Sequence, residues 1–357
     1  MQFPEIGARV RWGRVALFLG LTFASTWLLD LFLWKVVGFG QPAMGLVGQL
    51  QMLMPAFSAM VLGLYARRGR RIPPLRLRGP SRVFVVCFLA YTLVCAALVA
   101  GAAIWPRHLP LFTWIGRAMA FLGLPLLVLL RVLRGRGALS PIGLIGARPR
   151  YWLLFGLGFV LFYGSQTLLN VLFDLGHPAD LALLARQAKM PPGTFLAVSL
   201  IRVLALIPPL ALPLGFGEEY GWRGYLQGEL VALGKVRGVL LVGVIWGLWH
   251  APLIVMGYDY PGHPVAGVFV MTLYTVMLAF VLGYAVLKTG SVWLAAYLHI
   301  LNNQLDSSLT GLLYAPSDFL FSFGSGLYGI AVLAVIVLLI LRDPVWREQT
   351  RGPGETA

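Results

Sequence analysis

A chain of 357 residues that is 59% apolar and only 11% charged, with mean hydropathy +0.82, holds more apolar surface than a soluble core can hide. Ordinary globular sequences run at about 45–50% apolar and about 25% charged, so a soluble enzyme, a disulfide-stapled secreted domain and a disordered regulator are all excluded. The formal net charge of +15 invites a nucleic-acid reading, but its distribution along the chain assigns it to membrane topology instead.

At about 20 apolar residues per crossing, runs bounded by charges, Pro and Gly predict spans at 14–36, 44–65, 82–105, 112–132, 151–173, 193–216, 238–256, 265–287, 290–312 and 324–341. The fourth run contains Arg117, and the sixth contains Arg202, Pro208, Pro209 and Pro213. The expected fold is therefore all-α, a polytopic transmembrane bundle of eight to ten spans. The first run is too long for a signal h-region and lacks a small-residue cleavage site, so no cleavable signal is expected. Cys87 and Cys95, eight apart in one run, read as small core residues and not as a metal or redox pair. Arg202 reads as a side chain snorkelling to the outer interface.

Alternate loops collect the positive charge. The N-terminus carries Arg9, Arg11 and Arg14, and the second loop Arg67, Arg68, Arg70, Arg71, Arg76, Arg78 and Arg82. Arg131, Arg134, Arg136, Arg148 and Arg150 follow, then Arg223, Lys235, Arg237, Lys288, Arg342, Arg347 and Arg351. These are 22 of the 28 basic residues, so both termini are expected in the cytoplasm. The lipid bilayer is the partner implied, and nucleic acid is not. The loop style looks like that of a prokaryotic plasma-membrane protein. One integrated domain is expected: residues 1–190 as helices of unassigned role, 191–315 as the motif-bearing core, and 316–357 as a last helix and tail.

Ionisable groups in hydrocarbon are costly, so those inside spans are functional candidates. Asp30, in the first span, reads as an interfacial or helix-pairing carboxylate. The dense set comes later: Glu218, Glu219 and Arg223, then His250, then His299, Asn302 and Asn303. Glu219 and Arg223 are four apart and face the same way on a helix, whereas Glu218 points about 100° away. Glu219 is thus expected to be neutralised by Arg223, leaving Glu218 as a candidate general base. A turn near Leu233 and Gly234 lies about 16 residues from Glu218 and from His250, bringing both to one depth on neighbouring helices. Trp246, one turn before His250, reads as a packing residue that leans on the imidazole. His299 and Asn303 share a face and could donate to an oxyanion, or could form an interhelical polar clamp.

A carboxylate base, a His able to pass on its proton and a His–Asn donor pair are the parts needed to add water to an amide. The same Glu218, His250, His299 and Asn303 could instead hold a divalent metal; the absence of HExxH and of close His pairs favours a metal-free site with no cofactor.

These residues resemble a known family. Glu218-Glu219-Tyr-Gly-Trp-Arg223 resembles the EExxxR motif, Trp246-Gly-Leu-Trp-His250 the FxxxH motif, and His299-Ile-Leu-Asn-Asn303 the HxxxN motif of the CPBP (Abi, CAAX protease and bacteriocin-processing) intramembrane endopeptidases. The resemblance covers roughly residues 195–310, with Trp246 where the motif writes Phe. It implies that Glu218 activates water with His250, that Glu219 and Arg223 brace the site, and that His299 and Asn303 form an oxyanion pocket, without metal in the preferred picture. The expected function is hydrolysis of a peptide bond in a peptide or protein substrate at a membrane-embedded or membrane-proximal position. The water-filled cavity is expected to open on the cytoplasmic side, where the Glu-bearing hairpin turns. A proton-coupled transporter, suggested by the three prolines of the sixth run, and a non-catalytic scaffold or immunity protein are the competing readings.

Overall fold

The computed structural model describes residues 9–63, 78–135 and 137–347. Arg67, Arg68, Arg70, Arg71, Arg76, Arg136 and Arg351, assigned above to cytoplasmic segments, lie outside the described residues. All ten expected runs contain helix. The first five helices are α1 (Trp12–Phe32, prolonged by a π turn over Leu33–Val37), α2 (Met44–Val61), α3 (Gly79–Ile104), α4 (Leu109–Arg134) and α5 (Pro149–Leu172). A short α6 (Leu181–Gln187) precedes a broken rod made of α7 (Pro192–Ile201), a π turn, α8 (Ile207–Leu210), α9 (Leu212–Glu219), a second π turn (Tyr220–Leu226) and α10 (Gln227–Leu230). Then come α11 (Lys235–Trp249), α12 (Ala251–Val255), α13 (Pro264–Thr289), α14 (Val292–Leu312) and α15 (Leu327–Ile340). Pro in the first turn opens α3, α4, α5, α7 and α13, where its missing N–H costs nothing. α13 ends on left-handed Gly290, and the Ser291 hydroxyl caps α14 by accepting from Leu294 N–H at 3.3 Å.

Seven helices among the described residues are long and apolar enough to cross a membrane: 12–37, 44–61, 79–104, 106–134, 149–172, 192–210 and 264–289. They make the chain a polytopic helical bundle and fit an integral membrane protein. The count is below the eight to ten expected, and the shortfall has physical reasons. α11 stops after 15 residues, and α15, which would make an eighth crossing, has only 14. α14 is 21 residues long but carries His299, Asn302, Asn303, Gln304 and Asp306. The helices that fail as plain membrane spans thus include two that bear the polar motifs.

Long-range polar contacts define the two ends of the bundle. At the end where the described residues begin and stop, Arg11 Nε donates to Glu229 at 3.0 Å, Lys235 Nζ to the Val345 carbonyl at 2.7 Å, and Lys288 Nζ to Asp343 at 2.7 Å. At the other end, β1 (Gly176–Pro178) pairs antiparallel with β2 (Tyr314–Pro316), Gly176 opposite Pro316, and the Tyr260 hydroxyl donates to the Ser325 carbonyl at 2.8 Å. We call these the terminal end and the strand end.

Packing centres on the broken rod. Phe18, Trp222, Tyr225 and Trp249 form a buried aromatic cluster with ring centroids 4.9–5.8 Å apart. Gly215 lets the rod touch the Ala296 carbonyl of α14, and Gly217 and Gly221 let it touch the α2 backbone at Met52–Leu53 and at Pro55. Small residues are what allow such close backbone approach between membrane helices. Asp30 is 1% exposed and accepts from Gln51 Nε2 at 3.3 Å, so it pairs α1 with α2 and is not interfacial. Cys95 is buried as expected, but Cys87 is exposed.

Candidate active site

The break at Ala211, followed by Pro213 in the first turn of α9, starts a new helix whose last two residues are Glu218 and Glu219. The two carboxylates diverge, as their spacing requires. Glu219 is fully buried: its Oε1 accepts from Arg223 Nη1 at 2.8 Å and from His299 Nδ1 at 2.8 Å. Arg223, equally buried, lays its guanidinium 4.2 Å from the Trp246 ring centroid. Glu218 takes no Arg. One of its oxygens accepts from the Trp246 indole N–H at 2.9 Å, and the other lies 3.8 Å from His299 Nε2.

The imidazole beside Glu218 is therefore that of His299. His250 sits on the turn that ends α11, and its Nδ1–H donates to the Trp246 carbonyl at 2.9 Å, since a carbonyl can only accept. This bond fixes the tautomer and leaves Nε2 with its lone pair. Trp249 meets the His250 ring edge to face at 4.7 Å. Trp249 is itself clamped by α1, donating to Thr26 Oγ1 at 2.8 Å while its carbonyl accepts from Trp27 Nε1 at 3.2 Å. On α14, Asn302 Oδ1 accepts from the hydroxyls of Tyr163 (3.0 Å) and Tyr274 (2.9 Å), and its amide donates to Asn303 Oδ1 at 3.2 Å.

Glu218, Trp246, His250, His299, Asn302 and Asn303 all line one cavity of about 540 Å³. Glu219 and Arg223 stand behind its wall. Glu218 is 3% exposed, whereas Asn303, Ser307 and Asp259 are exposed. The cavity thus deepens from an open mouth to the carboxylate. Asp259, in the loop between α12 and α13, and Asp306, on α14, place two carboxyls in the lining near the mouth. Among the described residues, no three His, Cys, Asp or Glu side chains form a group able to hold a metal ion.

The direction of the opening differs from expectation. The mouth is formed by Met44 and Gly45, at the start of α2, with Tyr258, Asp259 and Ser307, all towards the strand end. The turn of the Glu-bearing hairpin lies at the other end, where Trp222, Arg223, Tyr225 and Leu226 fill the space beyond Glu219. Sequence reasoning placed the motif residues but missed this mouth, the Tyr163–Tyr274 brace and the indole bond to Glu218. The tyrosines had a weak signal, being polar-tipped aromatics in apolar runs that need a buried partner; nothing in the sequence names that partner.

Residues 194–305 match the family model described as type II CAAX prenyl endopeptidase Rce1-like. This third of the chain is Rce1-like. The matched segment runs from α7 into α14 and contains all three motifs, so this part of the chain is similar to the type II CAAX prenyl endopeptidases. No curated protein and no solved structure matches the chain.

Proposed function

We propose that this Rce1-like site is a glutamate-type endopeptidase, cleaving a peptide bond of a membrane-associated polypeptide with water activated by Glu218. The observation that carries this reading is the split between the two carboxylates. Glu219 has its charge met by Arg223 at 2.8 Å, while Glu218 is paired with no Lys or Arg, is steadied by one indole N–H and faces the cavity. Water bound at Glu218 attacks the carbonyl carbon and gives its proton to the carboxylate. The oxyanion that forms is met by the NH₂ of Asn303, whose Oδ1 is already engaged by Asn302, and by the Nε2–H of His299 in its protonated form, since its Nδ1–H is held by Glu219. The C–N bond then breaks, and the proton held by Glu218 passes to the leaving amine, with His250 Nε2 as the relay. Glu219 and Arg223 orient His299, and Trp246 orients Glu218. No step uses a metal.

The test is Glu218→Gln, His299→Ala and His250→Ala in vesicles with a single-span peptide reporter. Glu218→Gln should lower turnover by about 10²–10⁴-fold with little change in thermal stability. Full activity in that variant would discard the base assignment. Activity lost to a chelator and restored by Zn²⁺ would replace the metal-free mechanism, and proton or solute flux without cleavage would favour the transporter. We also propose that the arginine-rich terminal end faces the cytoplasm.

A further inference from the structure

Resting on the peptidase reading above, we infer that substrate reaches Glu218 from the non-cytoplasmic face, so the chains cleaved are membrane-anchored polypeptides whose scissile stretch emerges on that face.

None of the long helices lines the cavity with its turns nearest the terminal end. From α2 only residues between Met44 and Met52 line the cavity, although the helix continues to Val61. From α14 the lining begins at His299 and runs through Asn303 to Ser307, with nothing from the first turns after Val292. From α11 it takes only the last turn, Trp246 and Trp249. At a rise of 1.5 Å per residue, the seven residues from Val292 to His299 put about 10 Å of packed helix between the site and the terminal end. That space is occupied by the fully buried Trp222, Arg223, Tyr225 and Leu226.

Charge then orients the molecule. The terminal end gathers Arg11, Arg14, Arg82, Arg148, Lys235 and Arg342 among others, against Glu229 and Asp343. The strand end has Lys35, Arg107, Arg186 and Lys189, with Asp174, Asp180, Asp259, Asp306 and Asp318 as counterweight. An excess of Lys and Arg marks the cytoplasmic side, which makes the mouth non-cytoplasmic.

The chemistry of the lining agrees. Among the described residues no Lys or Arg lines the cavity, whereas Glu218, Asp259 and Asp306 do. A C-terminal carboxylate would enter against like charge and find no Lys or Arg among the described lining residues to bind it. An internal stretch of polypeptide carries no such charge, and Asn302, Asn303, Gln304 and Ser307 offer hydrogen bonds to its amides. The site suits the interior of a chain better than a free cytoplasmic tail.

The experiment uses the full chain in intact bacterial cells, with Cys87→Ser and Cys95→Ser as background and a membrane-impermeant maleimide as probe. Ser307→Cys reports the mouth and Arg148→Cys the arginine-rich end. Gly45→Cys provides a second mouth position, because a side chain there meets nothing within 4 Å. Both mouth positions should be labelled in intact cells, and Arg148→Cys only after permeabilisation. Labelling of Arg148→Cys alone in intact cells, or of the mouth only after permeabilisation, overturns the inference. A single-span reporter carrying one cleavable stretch on either face should be cut only when that stretch lies outside, and Glu218→Gln should abolish the cut. Failure to cut either reporter would instead remove the peptidase reading and the substrate assignment with it, while labelling still decides the side of access.

Discussion

Trp246 shows how one side chain can serve two neighbours. Its indole N–H holds Glu218 at 2.9 Å, its ring face receives Arg223, and its own carbonyl fixes His250. The first two are side-chain properties, and Phe would keep only the second. Trp246→Phe therefore leaves one buried carboxylate oxygen without a donor, a loss of roughly 1.5–3 kcal/mol for a charged acceptor. We expect kcat on a peptide reporter to fall about tenfold or more with KM nearly unchanged; an unaltered kcat would show that the bond does not position the base. At this scale the sequence was informative about residue type and poor about partners. The i,i+4 spacing of Glu219 and Arg223 dictates their pairing within one helix, and it is found. The proximity of His299 to Glu218 depends on how α14 rotates against α9, which no local spacing encodes.

Element by element, the sequence marks where helices begin and stop through Pro, Gly and charge, and fails where a helix changes pitch. The prolines at 208, 209 and 213 announce a disturbed sixth run, but the chain does not simply end there. It restarts at α9 and widens into the π turn Tyr220–Leu226 just after the two glutamates. Such wide turns recur at functional sites, because they re-aim side chains without breaking the rod. Close contact through Gly217 holds this segment in place: a Cβ there would lie 2.8 Å from Leu53 Cα and run into the Met52 carbonyl. Gly217→Ala should therefore push α9 off α2 and cost about 1–3 kcal/mol, read as a lowered unfolding temperature in detergent. It should also impair cleavage more than Gly228→Ala, at a position where added bulk meets nothing within 4 Å. Equal effects from the two substitutions would show that the close approach is not what seats Glu218.

For the whole molecule, composition and hydropathy are enough to read a helical membrane bundle. The count of crossings and the direction of the mouth are not, because the motif-bearing helices are too short or too polar to look like spans. The terminal end is latched partly by Asp343, which meets Lys288 at 2.7 Å and also accepts from Tyr284 and from Val345 N–H. Partial burial alone would raise its carboxyl; these donors outweigh it and hold the group below its ordinary value. A depressed folded-state pKa stabilises above the unfolded value and stops doing so as pH falls through the folded one. Asp343→Asn should accordingly lower the unfolding temperature at neutral pH, by an effect of about 1 kcal/mol. The difference from the parent should close below about pH 4; a gap that persisted undiminished in acid would rule out the charge as its source. The clamp of Thr26 and Trp27 on Trp249 has a consequence for how the protein is made. These partners are separated by more than 220 residues, roughly ten to forty seconds of ribosomal synthesis. The first helix must wait in the bilayer until Trp249 is translated, so a chain terminated before that point lacks the support that this clamp gives the neighbouring His250.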